Sequence, residues 1–318
     1  MKPKFLFCCG WNWSATSPLI YTLQRNVKYA HFGYTKTLKY LEKPNWEVNK
    51  GVRGDVLRNV HEKNIKFIYK KYCEGTWENY KSYQSGSHRM NLPVDLEPLR
   101  DFPLDHFTKL VTGAQSLSKF IDFYLALYYH VVSKGYKSVG SNYIGHRYNV
   151  PNNELKEIQS EFDIKVLFIA RDPIRRAWGQ YLNKFDRNEL PCQLNIKDYV
   201  KALKEVRMVF GESNVYVTVM EELWEGDGAE CEKLSQFLDH PIKKSDLWKN
   251  LYAPDRGHYV KFDKDVPCQA HCQELLELTP EIYWYYRKKF DYVYKNWEEH
   301  FGQLPLFWGE PIEYKPIK

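Results

Sequence analysis

The sequence predicts a three-layer α/β fold, a short parallel sheet of about four or five strands with helices on both faces. Three observations point to it. Two runs rich in β-branched residues, "IKVLFIA" (Ile164–Ala170) and "NVYVTVM" (Asn214–Met220), have helical patterns on either side. Such unbroken apolar runs suit strands covered on both faces, as in parallel sheets. The chain also opens with a strand, a small-residue loop and a helix start in direct succession.

That opening is "FLFCCGWNWSATSPLIYTL", Phe5 to Leu23. The first strand is read at Lys4–Cys9 and ends at Gly10. Ser14, Ala15, Thr16 and Ser17 form the loop, and Pro18 begins a helix with Ser17 as its N-cap. Free backbone N–H groups and the helix dipole converge at such a junction, which makes it an anion site. A further strand is read at Lys137–Ser141, after a helix over Gln115–Gly135 with Gly135 as its C-cap. Near the C-terminus, Pro280 to His300 carries Ile282, Tyr286, Phe290, Val293 and Trp297 at helical spacing, a stripe read as core.

One domain over residues 1–318 is expected, with an insertion at about 43–112. The insertion has one helix (Asp55–Cys73) and is otherwise polar, aromatic and irregular. Insertions of this kind lie over the carboxyl ends of strands, where they cover ligand sites.

Composition excludes several classes. The net charge of +6 over 318 residues, with no long basic run, argues against a nucleic-acid binder. No segment approaches the ~18 consecutive apolar residues of a membrane span. The N-terminal apolar run falls short of the ~7–15 residues of a signal-peptide core, so a cytoplasmic location is expected. Seven unevenly spaced cysteines suit reduced thiols better than a disulfide framework. Cys268, His271 and Cys272 lack the second pair that a structural zinc site needs, so no metal is expected.

Two motifs carry the chemistry. From Gly10 the chain reads G-W-N-W-S-A-T-S, with Ala15 and Thr16 where a nucleoside-triphosphatase P-loop has glycine and lysine. Ordinary ATP chemistry is therefore disfavoured. In "VLFIARDPIRRAWGQYL" (Val166–Leu182), Arg171 follows a strong strand and Pro173 starts a helix. An arginine at that strand end offers a planar fork of donors suited to phosphate, though it is also placed to pair with Asp172 or a neighbouring carboxylate.

Together the loop and the R-D-P-x-x-R-A motif resemble the sulfotransferase family, whose fold is P-loop-like. "NVYVTVMEELWEGDGAECEKLSQFLDHPI" (Asn214–Ile242) and the closing "FGQLPLFWG" extend the similarity. It is diffuse over most of the chain and weakest at Glu42–Thr112. The resemblance implies the donor 3′-phosphoadenosine 5′-phosphosulfate (PAPS), the product PAP, and a hydroxyl or amine acceptor on a small molecule or glycan. It places the phosphosulfate at Trp13, Ser14, Ala15, Thr16 and Ser17, and the 3′-phosphate at Arg171 and Gly179.

Three positions depart from the family. Trp13 stands where the loop G-x-x-[KR]-[SG]-[GA]-T-[TS] has its basic residue, and Gly179 stands where a serine usually holds the 3′-phosphate. Thr37, in "TKTLKYL", takes the place of the catalytic glutamate of glycan-type members. Sulfuryl transfer still needs a base for the acceptor and a cation at the bridging oxygen. Lys36 and Lys39 are candidates for the cation, and His31 and His146 for the base. Trp13, Trp77, Tyr80 and Tyr83 offer stacking faces. A rival reading from another class is a sulfotransferase-derived protein that holds nucleotide or glycan without turnover.

Overall fold

The computed structural model describes residues 2–11, 14, 19–20, 22–23, 29–32, 101–103, 117–144, 152–182, 194, 196–247 and 278–309. Five strands, β1 (Lys4–Gly10), β2 (Tyr29–Phe32), β3 (Ser138–Ile144), β4 (Asp163–Ala170) and β5 (Val215–Val219), form one parallel sheet in the order β2-β3-β1-β4-β5. The described helices are α1 (Leu117–Ser133), α2 (Asn152–Glu161), α3 (Pro173–Leu182), α4 (Tyr199–Phe210), α5 (Met220–Trp224), α6 (Ala229–Leu238), α7 (Pro280–Lys289) and α8 (Asp291–Phe301). The α/β class expected from the sequence is the one observed.

Strand order locates the place for chemistry. From β1 the chain leaves for the β2 edge, whereas from β4 it leaves for the β5 edge. Adjacent parallel strands whose connections part in this way leave a crevice outside their carboxyl ends, where α/β proteins bind ligands. The loop with Ser14 follows β1 and Arg171 follows β4, so both sequence motifs belong to this switch point.

Two compact units make up the chain. The first is Met1–Cys8, Leu23–Tyr143 and Tyr148–Val166. Its core is aromatic: Phe5 packs on Tyr124 at 4.7 Å and on Phe162 at 5.5 Å between ring centres, and Phe123 meets Phe102 at 5.7 Å. Helix α1 ends where the sequence signal places it. Gly135, at φ +83°, donates to the carbonyl of Val132, and Tyr136 donates to that of Val131. That is the Schellman arrangement, which needs a residue free to adopt the left-handed conformation. Strand β2 was not among the runs singled out in the sequence. Four residues with a histidine at the third position give too short an apolar signal, yet its register with β3 (Tyr29 opposite Ser138, Phe32 opposite Ser141) is regular.

The second unit is Cys9–Thr22, Ile144–Arg147 and Leu167–Lys318. Helix α4 turns six side chains into its core, among them Tyr199, Leu203 and Phe210. Helix α8 packs against it. One expectation needs correction here. Pro280–His300 is not one helix but two, α7 and α8, separated at Phe290 (φ −113°, ψ 25°). Residues 11 apart on a straight helix lie about 16 Å apart along the axis. The break is what lets Tyr283 of α7 and Tyr294 of α8 reach the same carboxylate.

Candidate functional site

The "ARDP" sequence explains its own geometry. Strand β4 ends at Ala170 and α3 begins at Pro173, so Asp172 occupies the N-cap and Pro173 the position where no backbone donor is needed. The Asp172 Oδ1 atom accepts from the backbone N–H of Ile174 and of Arg175, both at 3.0 Å. Its Oδ2 atom accepts from the Tyr283 hydroxyl at 2.8 Å and the Tyr294 hydroxyl at 3.1 Å. Tyr283 in turn accepts from the N–H of Gly309 at 3.0 Å. Burial, and next the charge of Asp172, raise the pKa of both phenols, so they remain proton donors.

With Asp172 committed to the cap and to two tyrosines, the carboxylate near Arg171 is another one. Strand β5 runs directly into α5, which puts Glu221 in the first turn of that helix. The Glu221 carboxylate is fully buried (0 % exposed). Its Oε1 accepts from the Asp172 N–H at 3.0 Å and its Oε2 from the Trp308 indole at 3.0 Å. The Arg171 Nε lies 3.9 Å from Oε1, an ion pair beyond hydrogen-bond length. Burial raises the Glu221 pKa, with Arg171 and Arg175 pulling it back down. The closing segment of the chain thus reaches the strand-end motif through Trp308 and Gly309.

Three arginines gather here. Arg171, Arg175 and Arg176 are all buried, at 2, 2 and 1 % exposure. The Glu221 carboxylate feels Arg171 and Arg175, and Tyr283 lies beside both Asp172 and Arg175. Burial lowers the pKa of Arg176, with Arg171 adding to the effect.

Tyr199 joins this motif to the first loop. Its hydroxyl lies 3.3 Å from Ser14 Oγ and accepts from the Arg171 N–H at 3.3 Å. Burial pushes this phenol up to about 12, so it stays protonated. On the other side of the same loop turn, the Trp11 carbonyl accepts from the Ser14 N–H at 3.2 Å, and the Lys197 amine stands 5.0 Å from the centre of the Trp11 ring.

Of the residues that the sequence put forward, the structure brings Ser14 and Arg171 together through Tyr199, and it places Gly179 buried within α3. His31 is a residue of β2. Trp13, Ala15, Thr16, Ser17, Lys36, Lys39, Thr37 and His146 lie outside the described residues. So do the Asp55–Cys73 helix, the aromatic residues of the insertion and the Cys268–Cys272 cluster. Sequence reasoning missed Tyr199, Trp11, Lys197 and the tyrosine pair on Asp172. Only Glu221 and Trp308 had a signal, in "VMEEL" and "LFWG". No described helix is long and apolar enough to cross a membrane.

No family model matches the chain, and neither does any curated protein. Solved structures do. The chain is similar to a sulfotransferase from Alicyclobacillus acidocaldarius, at 14% identity and a TM-score of 0.45, over 96% of this chain and 98% of that one. It is also similar to the sulfotransferase STF9 from Mycobacterium avium, at 12% identity and a TM-score of 0.36, over 92% of this chain and 78% of that one.

Proposed function

We propose that this protein is a sulfotransferase-like enzyme that moves a sulfuryl group from PAPS to a hydroxyl or amine acceptor, on a small molecule or a glycan. One observation carries the reading: the Tyr199 hydroxyl is 3.3 Å from both Ser14 Oγ and the backbone N of Arg171, which ties Ser14 of the loop to the start of the arginine motif. Three buried arginines at the same strand end support it, since a guanidinium is a good donor to phosphate.

In this reading the loop at Trp13–Ser17 holds the 5′-phosphosulfate, chiefly through backbone N–H groups and hydroxyls, and Trp13 adds a stacking face. Arg171 holds the 3′-phosphate alongside the backbone at Gly179, in competition with Glu221 for the guanidinium. Bound PAPS supplies an activated sulfuryl group. The acceptor oxygen or nitrogen bonds to sulfur, the bond from sulfur to the bridging oxygen breaks, and PAP departs. His31 takes the acceptor proton, Thr37 stands in the place of the family's glutamate, and Lys36 is the candidate for the cation at the bridging oxygen.

A second reading, retention of nucleotide or glycan binding without turnover, is favoured by the replacement of three family residues by Trp13, Thr37 and Gly179. Transfer of labelled sulfate from PAPS to a panel of hydroxyl and amine acceptors separates the two. Label on an acceptor, blocked by PAP and not by ATP, supports the enzyme. PAP binding with every acceptor unlabelled supports the second reading, and the absence of PAP binding sinks the enzyme and the nucleotide-binding form of the second reading.

A further inference from the structure

Helices α4 and α8 pack along a seam with a polar contact at each end. At one end the Asn296 amide donates to Asp198 Oδ2 at 3.0 Å, and beside it the rings of Tyr199 and Trp297 meet edge to face at 6.1 Å. At the other end, Arg207 Nη1 lies 3.4 Å from His300 Nε2. A guanidinium stays charged and has only donors, so the ring must offer a lone pair. His300 is therefore held here as the neutral imidazole. The groups that face the ring decide how firmly. Lys204 stands one turn before Arg207 on the same side of α4, which brings a second cation near. Glu212, in the turn after α4, pairs with Arg207 at 3.2 Å, but it is 80 % exposed, so water screens its pull. The C-terminal end of α8 also favours a cation, and Glu298 and Glu299, beside the ring in sequence, are exposed. Burial first, then Arg207 and Lys204, outweigh these and hold the His300 ring below its ordinary 6.5.

We propose that His300 is a proton-operated latch between α4 and α8. Neutral, it accepts from Arg207 and holds the last turn of α8 on α4. Protonated, it sets a second cation against the guanidinium and releases that turn. Helix α4 also carries Tyr199, which touches Ser14 and the Arg171 N–H, and α8 carries Tyr294, which donates to Asp172. The latch thus makes the packing behind both sequence motifs sensitive to acid. It rests on the α4–α8 contacts and is independent of the sulfotransferase reading. With the folded value below 6.5, the unfolded chain takes up the proton first. The stability that the latch contributes is complete above pH 6.5 and is lost as pH falls toward the folded value.

The test uses the parent, His300→Gln, which keeps an acceptor that does not titrate, and Arg207→Gln, which removes the opposing cation. Urea midpoints are measured at about pH 7.5 and about pH 5.5, on either side of the ordinary histidine value. Other groups titrate in this window in all three proteins, so the difference between proteins isolates the latch. The midpoint should fall further in the parent than in either variant. Hydrogen exchange of the last-turn amides of α8, corrected for the intrinsic rate, should quicken at the lower pH in the parent and not in His300→Gln. The ring resonance of His300, assigned by its loss in His300→Gln, should titrate below 6.5 in the parent and move upward in Arg207→Gln. The parent titration and Arg207→Gln decide the matter even where His300→Gln folds poorly. A ring that titrates at or above 6.5 in the parent, or midpoints that fall equally in all three proteins, overturns the latch.

Discussion

Ser14 and Tyr199, 185 residues apart in sequence, share a 3.3 Å hydrogen bond in the protein interior, and the same phenol accepts from the Arg171 N–H. Tyr199→Phe deletes both bonds while keeping the ring on Trp297 and Trp308. A neutral hydrogen bond contributes about 0.5–1.5 kcal/mol, and a buried group that loses its partner costs about 1–3 kcal/mol. Tyr199→Phe should therefore lower stability by about 1–3 kcal/mol and weaken PAP binding. Urea unfolding with an unchanged midpoint would remove this hydroxyl from the account.

Alkaline titration tests the same group from its proton side. Burial holds the Tyr199 phenol up to about 12 in the folded protein, against 10.0 for an ordinary tyrosine. The folded state then keeps a proton that the unfolded chain releases, so the stability it contributes is complete below pH 10 and lost as pH rises toward 12. Between pH 9 and 11 the urea midpoint should fall more steeply for the parent than for Tyr199→Phe. Parallel slopes would contradict the burial of the phenol.

Asp172 caps α3 and receives two tyrosines, so its loss should be among the costliest single changes in the second unit. Removing an N-cap acid costs about 0.5–2 kcal/mol, and each hydrogen bond to a charged group is worth about 1.5–3 kcal/mol. Asp172→Ala should therefore exceed Tyr294→Phe, which spares the cap. Because Tyr283 and Tyr294 share Oδ2, the two Tyr→Phe changes should be coupled by roughly 0.5 kcal/mol or more in a double-mutant cycle. Strict additivity would mean that the carboxylate does not join the two helices.

Trp308 and Glu221 give a prediction with a definite pH sign. Burial raises the Glu221 pKa above 4.5, and the Trp308 indole opposes this by donating to the charged form. With a raised folded value, the protonated acid is the form the fold favours, and its contribution is lost as pH rises from about 4.5 through that value. Trp308→Phe removes the support of the charged form only. Its destabilisation relative to the parent should be larger at pH 8 than at pH 5. Equal losses at both would assign the effect to packing alone.

Much of this was legible in the sequence, and what was not has physical reasons. The strands at Lys4 and Ile164 announced themselves because their apolar runs are almost wholly buried, and the one at Asn214 because it is rich in β-branched residues. Strand β2 did not, since His31 interrupts four residues. Asp172 and Pro173 spell out a helix start, which is why the second motif could be placed at a strand end. The polar network could not be read in the same way. Tyr199, Tyr283 and Tyr294 sit at core spacings, and their rings do pack in the core, yet their hydroxyls tie together segments far apart in sequence. Periodicity reports which face a residue occupies and is blind to what its terminal oxygen touches. The break at Phe290 escaped for a related reason, because the apolar stripe continues through it in register.

The central claim is that the loop after β1 and the arginine after β4 hold one nucleotide. Calorimetric titration of PAP into the parent and into Arg171→Ala, with folding of the variant verified by circular dichroism, tests it most directly. Hydrogen bonds to a charged group predict saturable binding by the parent and a weakening of about 10- to 100-fold in the variant. Parent protein that takes up no PAP, or binds it as tightly without Arg171 as with it, would contradict the claim.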